Sequence, residues 1–128
     1  MRLSDDDFID LVTAPGERRN LEFKPGGHRS GYHLAQVARA ALGLANLRDG
    51  GVIILGVAEV APGIFERQGI AADALDSWAN NDDVTSALTS FADPAFSLER
   101  HIHEFEDMRF VVIQVREFDA VPIRVASQ

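Results

Sequence analysis

The chain predicts an α+β domain: a single mixed β-sheet flanked by three to four helices. Three observations carry that expectation. Residues Asn20–Lys24 alternate, with Leu21 and Phe23 on one side and Asn20, Glu22 and Lys24 on the other, which is the period of a half-buried strand. Val52–Val57 is an unbroken apolar run, the pattern of a strand covered on both faces. Between them Leu34, Val37, Ala38, Ala41, Leu44 and Ala45 make an apolar stripe at helical spacing.

A first helix is expected over about Asp5–Val12. Ser4 is a good N-cap, Asp5–Asp7 place negative charge at the positive end of the dipole, and Phe8, Leu11 and Val12 share a face. Ala14-Pro15-Gly16 ends it, and the strand Asn20–Lys24 follows. Pro25 through Gly31 is a loop, because its proline and three glycines suit neither helix nor strand. The second helix covers about Tyr32–Leu47, with Gln36, Arg39 and Asn46 on its polar side. Asp49-Gly50-Gly51 turns the chain into Val52–Val57, and Pro62-Gly63 turns it again before a weak strand near Ile64–Arg67.

Residues Ala72–Phe91 read as helix broken at Asn80-Asn81-Asp82-Asp83, with Asp82 or Asp83 capping the second piece, and Asp93-Pro94 stops it. Ser97–Phe105 and Arg109–Arg116 are strands joined by Glu106-Asp107-Met108. This order gives one mixed sheet. Beyond Pro122 no terminating element is evident, so the expectation is a single domain over 1–128 that forms the N-terminal module of a longer protein.

Composition sets the broad class. Apolar residues at 46% and charged residues at 25% place the chain among globular domains and against global disorder. No apolar run has the roughly 20 residues a membrane span needs, and no leader-like segment opens the sequence. The absence of cysteine removes disulfide scaffolds and thiol nucleophiles, and cytoplasmic location is the expectation.

The net charge of −8 argues against an anionic partner until its distribution is considered. From Arg18 to Arg48 there are six cations (Arg18, Arg19, Lys24, Arg29, Arg39 and Arg48) against the single acid Glu22, a local +5. An anionic partner at one surface fits that asymmetry, and so does a helix with an ordinary solvated face. Arg18, Arg19, Lys24 and Arg29 lie in or beside the first strand and its loop, and are the candidate nucleic-acid contacts. Arg39 is left out of that set.

Glu17, Glu22 and Lys24 are the candidate catalytic set. Carboxylates hold Mg²⁺ or Mn²⁺ through oxygen, and a lysine steadies a phosphate or an attacking water. Period two puts Glu22 and Lys24 on one face, whereas Glu17 reaches it only through a turn near Arg18–Arg19. The alternative is a surface ion pair between Glu22 and Lys24. Gly50-Gly51 permits positive φ and close backbone approach. It reads as a tight helix-to-strand turn, and neither a Walker nor a dinucleotide pattern surrounds it.

Taken together, the segments Glu17…Leu21-Glu22-Phe23-Lys24, Leu44-Ala45-Asn46 with Gly50-Gly51, Ile54-Leu55-Gly56-Val57, and Phe110–Val115 followed by Pro122 resemble the Schlafen AlbA-type domain. In bacteria that family is often described as DNA-binding. The resemblance covers about residues 15–125. It implies a nucleic-acid module and, by likeness to animal Schlafen nucleases, a metal-dependent ribonuclease with Glu17 and Glu22 as its two glutamates. Those nucleases have a third acid near the end of the Gly-Val strand, where this chain has Ala58 and then Glu59, so Glu59 completes the candidate metal set. The family's tandem arrangement implies a homodimer, for which the strand Phe110–Val115 is a candidate contact. Bacterial relatives commonly join this domain to helix-turn-helix or ATPase-like regions.

Elsewhere, Glu99, His101 and His103 alternate along one strand and read as either a solvated face or two metal-binding imidazoles. His28 and His33 flank the glycine loop. Tyr32 and Trp78 are the aromatic side chains able to stack on bases, and Trp78 also reads as packing on the sheet. No nucleophile-elbow pattern supports a hydrolase triad. Two readings from different classes follow: a nucleic-acid-binding module, RNA or DNA, with or without nuclease chemistry, and a non-catalytic regulatory or dimerisation domain. An ATP-binding reading finds no phosphate loop.

Overall fold

A computed structural model describes residues 3–13, 20–90, 92–93, 96–118 and 124–125. In chain order the first elements are α1 (Asp5–Thr13), β1 (Leu21–Lys24), α2 (Gly31–Ala45) and β2 (Gly51–Leu55). A hairpin of β3 (Val57–Ala61) and β4 (Ile64–Arg67) precedes the short helices α3 (Ala72–Asp76) and α4 (Asn81–Thr89). β5 (Ala92–Asp93), β6 (Leu98–Phe105), β7 (Met108–Val115) and β8 (Arg124–Val125) complete the described chain.

The main sheet runs β1-β2-β7-β6. It is mixed, as expected: β1 lies parallel to β2, while β2–β7 and β6–β7 are antiparallel. Two small pairs, β3–β4 and β5–β8, stand apart from it. α2 provides the crossover that a parallel β1–β2 pair requires.

Both faces of the sheet are covered. On one, Val37, Ala41 and Leu44 of α2 and Val84 and Leu88 of α4 pack with Ile53, Leu55, Val111 and Ile113. On the other, Phe8 and Val12 of α1 pack with Leu21, Phe23, Ile54, Phe110 and Val112. The alternation of Ile53 and Leu55 against Ile54 explains why β2 is apolar at every position. The strand Phe110–Val115 is therefore no dimer contact: it lies between β2 and β6, and Phe110, Val111, Val112 and Ile113 are completely buried.

Several boundaries move for identifiable reasons. The run Val52–Val57 is not one strand, because β2 stops at Leu55 and the chain bends at Gly56, whose φ is +117°. A Cβ there would meet the Phe110 ring at 2.7 Å, so a glycine is required where β2 ends and β3 begins. α2 stops at Ala45 rather than Leu47, in a tight turn where the Leu47 amide donates to the Leu44 carbonyl. α4 is capped by Asn80, not by Asp82 or Asp83: its side-chain oxygen accepts the Asp83 amide at 3.0 Å. In the β6–β7 hairpin Glu106 and Asp107 both have positive φ, +52° and +63°. That is the two-residue turn whose twist suits a hairpin, so Met108 belongs to β7 and not to the turn. Among the described residues no helix is long and apolar enough to cross a membrane.

Candidate functional site

β1 is an edge strand of the main sheet and presents two chemically different faces. Leu21 and Phe23 are buried against α1, and the half-buried Glu22 and Lys24 point to the α2 side. There Lys24 Nζ stands 3.8 Å from Glu22 Oε2. An ion pair this exposed contributes little to stability, so the constellation is available for other work.

Opposite β1, α2 brings Gln36, Arg39, Ala40 and Gly43 over the same space, and the two elements enclose a groove of about 360 Å³. The spacing from 36 through 39 and 40 to 43 keeps these positions on one helical face. Polar groups form its rim, with Lys24 and Glu22 on the strand side and Gln36 and Arg39 on the helix side. Leu44 and Leu47 complete its lining, and a Cβ built on Gly43 meets nothing within 4 Å. Gln36 and Arg39 are the site residues that local pattern missed. Their signal was present in the small side chains at 40 and 43, which leave room for a groove beside them.

The loop between β1 and α2 is anchored from the far side. The Trp78 indole Nε1 donates to the Gly27 carbonyl at 2.8 Å, and the Arg29 amide donates to Ser77 Oγ at 2.8 Å. Arg29 Nε also donates to the Ser77 carbonyl at 2.6 Å, so this cation is partly engaged in holding the loop. Trp78 is fully buried and serves as core, whereas Tyr32 is 78% exposed. His28 Nδ1 lies 3.1 Å from Ser30 Oγ. His33 stands edge-on to Trp78, with ring centroids 6.2 Å apart. Burial, and then the charge of Lys24, hold its imidazole below the ordinary histidine pKa.

The other candidates lie elsewhere. Glu59 Oε2 accepts the Gly63 amide at 2.9 Å within the β3–β4 hairpin. The β3–β4 register puts Glu59 opposite Phe65, whose ring packs on Phe23. Glu59 thus stands on the exposed part of the hairpin that follows β2. Glu17, Arg18 and Arg19 lie outside the described residues, as does Pro122. Among the described residues no three His, Asp or Glu side chains form a group that could hold a metal.

His101 pairs with Glu99 at 3.2 Å on the half-solvated part of β6. His103 is not on a solvated face: it is 3% exposed, stacked on Phe8 at 4.7 Å, with Nδ1 2.9 Å from Asp5 Oδ1. The physical reason is α1, which covers that end of the strand and which strand periodicity alone does not locate.

Fold and groove together define a small α+β domain with a cation-rimmed cleft between an edge strand and its crossover helix. Among solved structures it is similar to the N-terminal domain of a Nitrosomonas europaea protein whose name relates it to the ATP-dependent DNA helicase RecG. The identity is 25% and the TM-score 0.59, over 98% of this chain and 82% of that one. It is also similar to the DIP2311 protein of Corynebacterium diphtheriae, at 18% identity and a TM-score of 0.61. That match covers 94% of this chain but 23% of the other, and it shows the fold alone. No family model and no curated protein matches the chain.

Proposed function

We propose that the chain is a nucleic-acid-binding module of Schlafen AlbA type, the N-terminal part of a longer protein, and that it grips phosphates at the β1–α2 groove. The observation that carries this reading is the convergence of Lys24 and Arg39 on one cleft of an otherwise acidic chain. Arg18, Arg19 and Arg29, next to that strand in sequence, are the further cations that the proposal assigns to phosphate contact. The likeness to a helicase-related N-terminal domain supports a nucleic-acid role and a multidomain setting. Metal-dependent nuclease chemistry is the finer form of the proposal. It asks Glu17, Glu22 and Glu59 to converge and bind Mg²⁺ or Mn²⁺. Self-association is a further part, and its place is the outer edge of β6, where Ile102 is 37% exposed.

Fluorescence anisotropy with a labelled RNA and the matching DNA tests the binding claim at two salt concentrations. Lys24 and Arg39 alone give a single-strand salt slope of about −1.4, and engagement of Arg18 and Arg19 steepens it to about −2.8. Lys24→Glu with Arg39→Glu abolishes binding on this account. No binding at low salt, or binding indifferent to that reversal, leaves the non-catalytic regulatory reading in its place.

A further inference from the structure

The geometry points to a single-strand site: we infer that the groove seats one unstacked nucleotide over Ala40 and Gly43, with a base farther along the strand stacked on Tyr32. The inference rests on the nucleic-acid reading above and names the form of nucleic acid the groove takes. Three observations lead to it.

The first is the chemistry of the groove. A cleft meant only for a phosphate needs cations, but this one pairs two cations with a carboxylate and an amide beside the uncharged Ala40, Gly43, Leu44 and Leu47. Its volume of about 360 Å³ is within the range of small-ligand sites, roughly 300–1,000 Å³. Gln36 offers both a donor and an acceptor, and Glu22 an acceptor, which is the equipment for the hydrogen-bonding edge of a base. A base inside a duplex has its Watson–Crick edge already paired, whereas a single strand can splay that edge outward.

The second is Gly43. An unoccupied Cβ direction on an otherwise well-formed helix costs helical stability relative to alanine, and here the open space lies on the groove side. The third is Tyr32, the most exposed large apolar side chain among the described residues, at 78%. It sits four residues before Gln36, on the same helical face. Stacking platforms beside a cationic track are how single strands are held without sequence preference.

The test compares a labelled single-stranded 12-mer with the duplex of the same sequence, using the whole chain, by anisotropy at low salt. Wild type should favour the single strand by tenfold or more. Gly43→Leu fills the groove, and Tyr32→Ala removes the platform while changing only an exposed side chain. Each should weaken single-strand binding about tenfold, the scale of one lost stacking contact, and so narrow the preference for the single strand over the duplex. Melting curves confirm that both variants are folded. Equal affinity for duplex and single strand, or variants that bind as wild type does, overturns the single-strand site while the nucleic-acid reading stands. Absence of binding to either form overturns both.

Discussion

Replacing Trp78 by phenylalanine removes one buried donor and leaves most of the apolar packing in place. In the native fold the fully buried indole donates to the Gly27 carbonyl at 2.8 Å, tying the β1–α2 loop to the helical face of the sheet. Losing the partner of a shielded carbonyl costs about 1–3 kcal/mol, and the smaller ring adds a cavity contribution of about 1 kcal/mol. A loss of about 2–4 kcal/mol is therefore expected. For 128 residues the unfolding entropy is about 0.27 kcal/mol/K, so the melting temperature should fall by roughly 7–15 °C. Urea unfolding followed by far-ultraviolet circular dichroism gives the free energy directly, and the thermal melt gives the second figure. Ser77→Ala removes the other anchor, the hydroxyl that accepts the Arg29 amide, and should cost about 1 kcal/mol. A Trp78→Phe protein within about 0.5 kcal/mol of wild type, the range of ordinary surface changes, would refute the view that the indole holds this loop.

Three further expectations follow from the same contacts. Gly50→Ala should destabilise the fold by about 2–4 kcal/mol, because φ is +64° and the new Cβ would run into the Val115 carbonyl and stand 2.8 Å from the Glu117 amide; Gly43→Ala should instead stabilise by about 0.5–1 kcal/mol, and denaturant curves for the pair decide. His33 titrates below 6.5 through burial and then Lys24, so its contribution to stability is complete above the unfolded value and declines as pH falls through 6.5 towards the lower folded value. Lys24→Met should raise its midpoint in an NMR titration, and an unmoved midpoint would contradict the assignment. If Glu17 and Glu22 share a divalent ion, millimolar Mn²⁺ should raise the melting temperature of wild type and not of Glu22→Gln; equal shifts, or none, remove the metal and the nuclease with it.

The α+β class, the mixed sheet and most strand positions were legible because burial on two faces leaves a plain mark, as in Val52–Leu55 and Leu21/Phe23. Lys24 and Glu22 were legible as a pair for the same reason. Arg39 was not, since strand and helix periodicities give the faces within an element but not which faces meet. His103 shows the same limit: the sequence places it beside His101, and only the docking of Phe8 and Asp5 buries one and leaves the other near solvent. Gly56 was read as part of a strand because an apolar run conceals a turn, and its role emerges once the Phe110 ring is seen against it.

The central claim is that nucleic acid docks at the β1–α2 groove, and amide-resolved NMR during titration with a short single strand tests it most directly. On this account the largest shift changes fall on 22–24 and on 32–43, while β6 and the β3–β4 hairpin stay unmoved. Changes concentrated on those two distant elements, or a spectrum indifferent to the added strand, would contradict it.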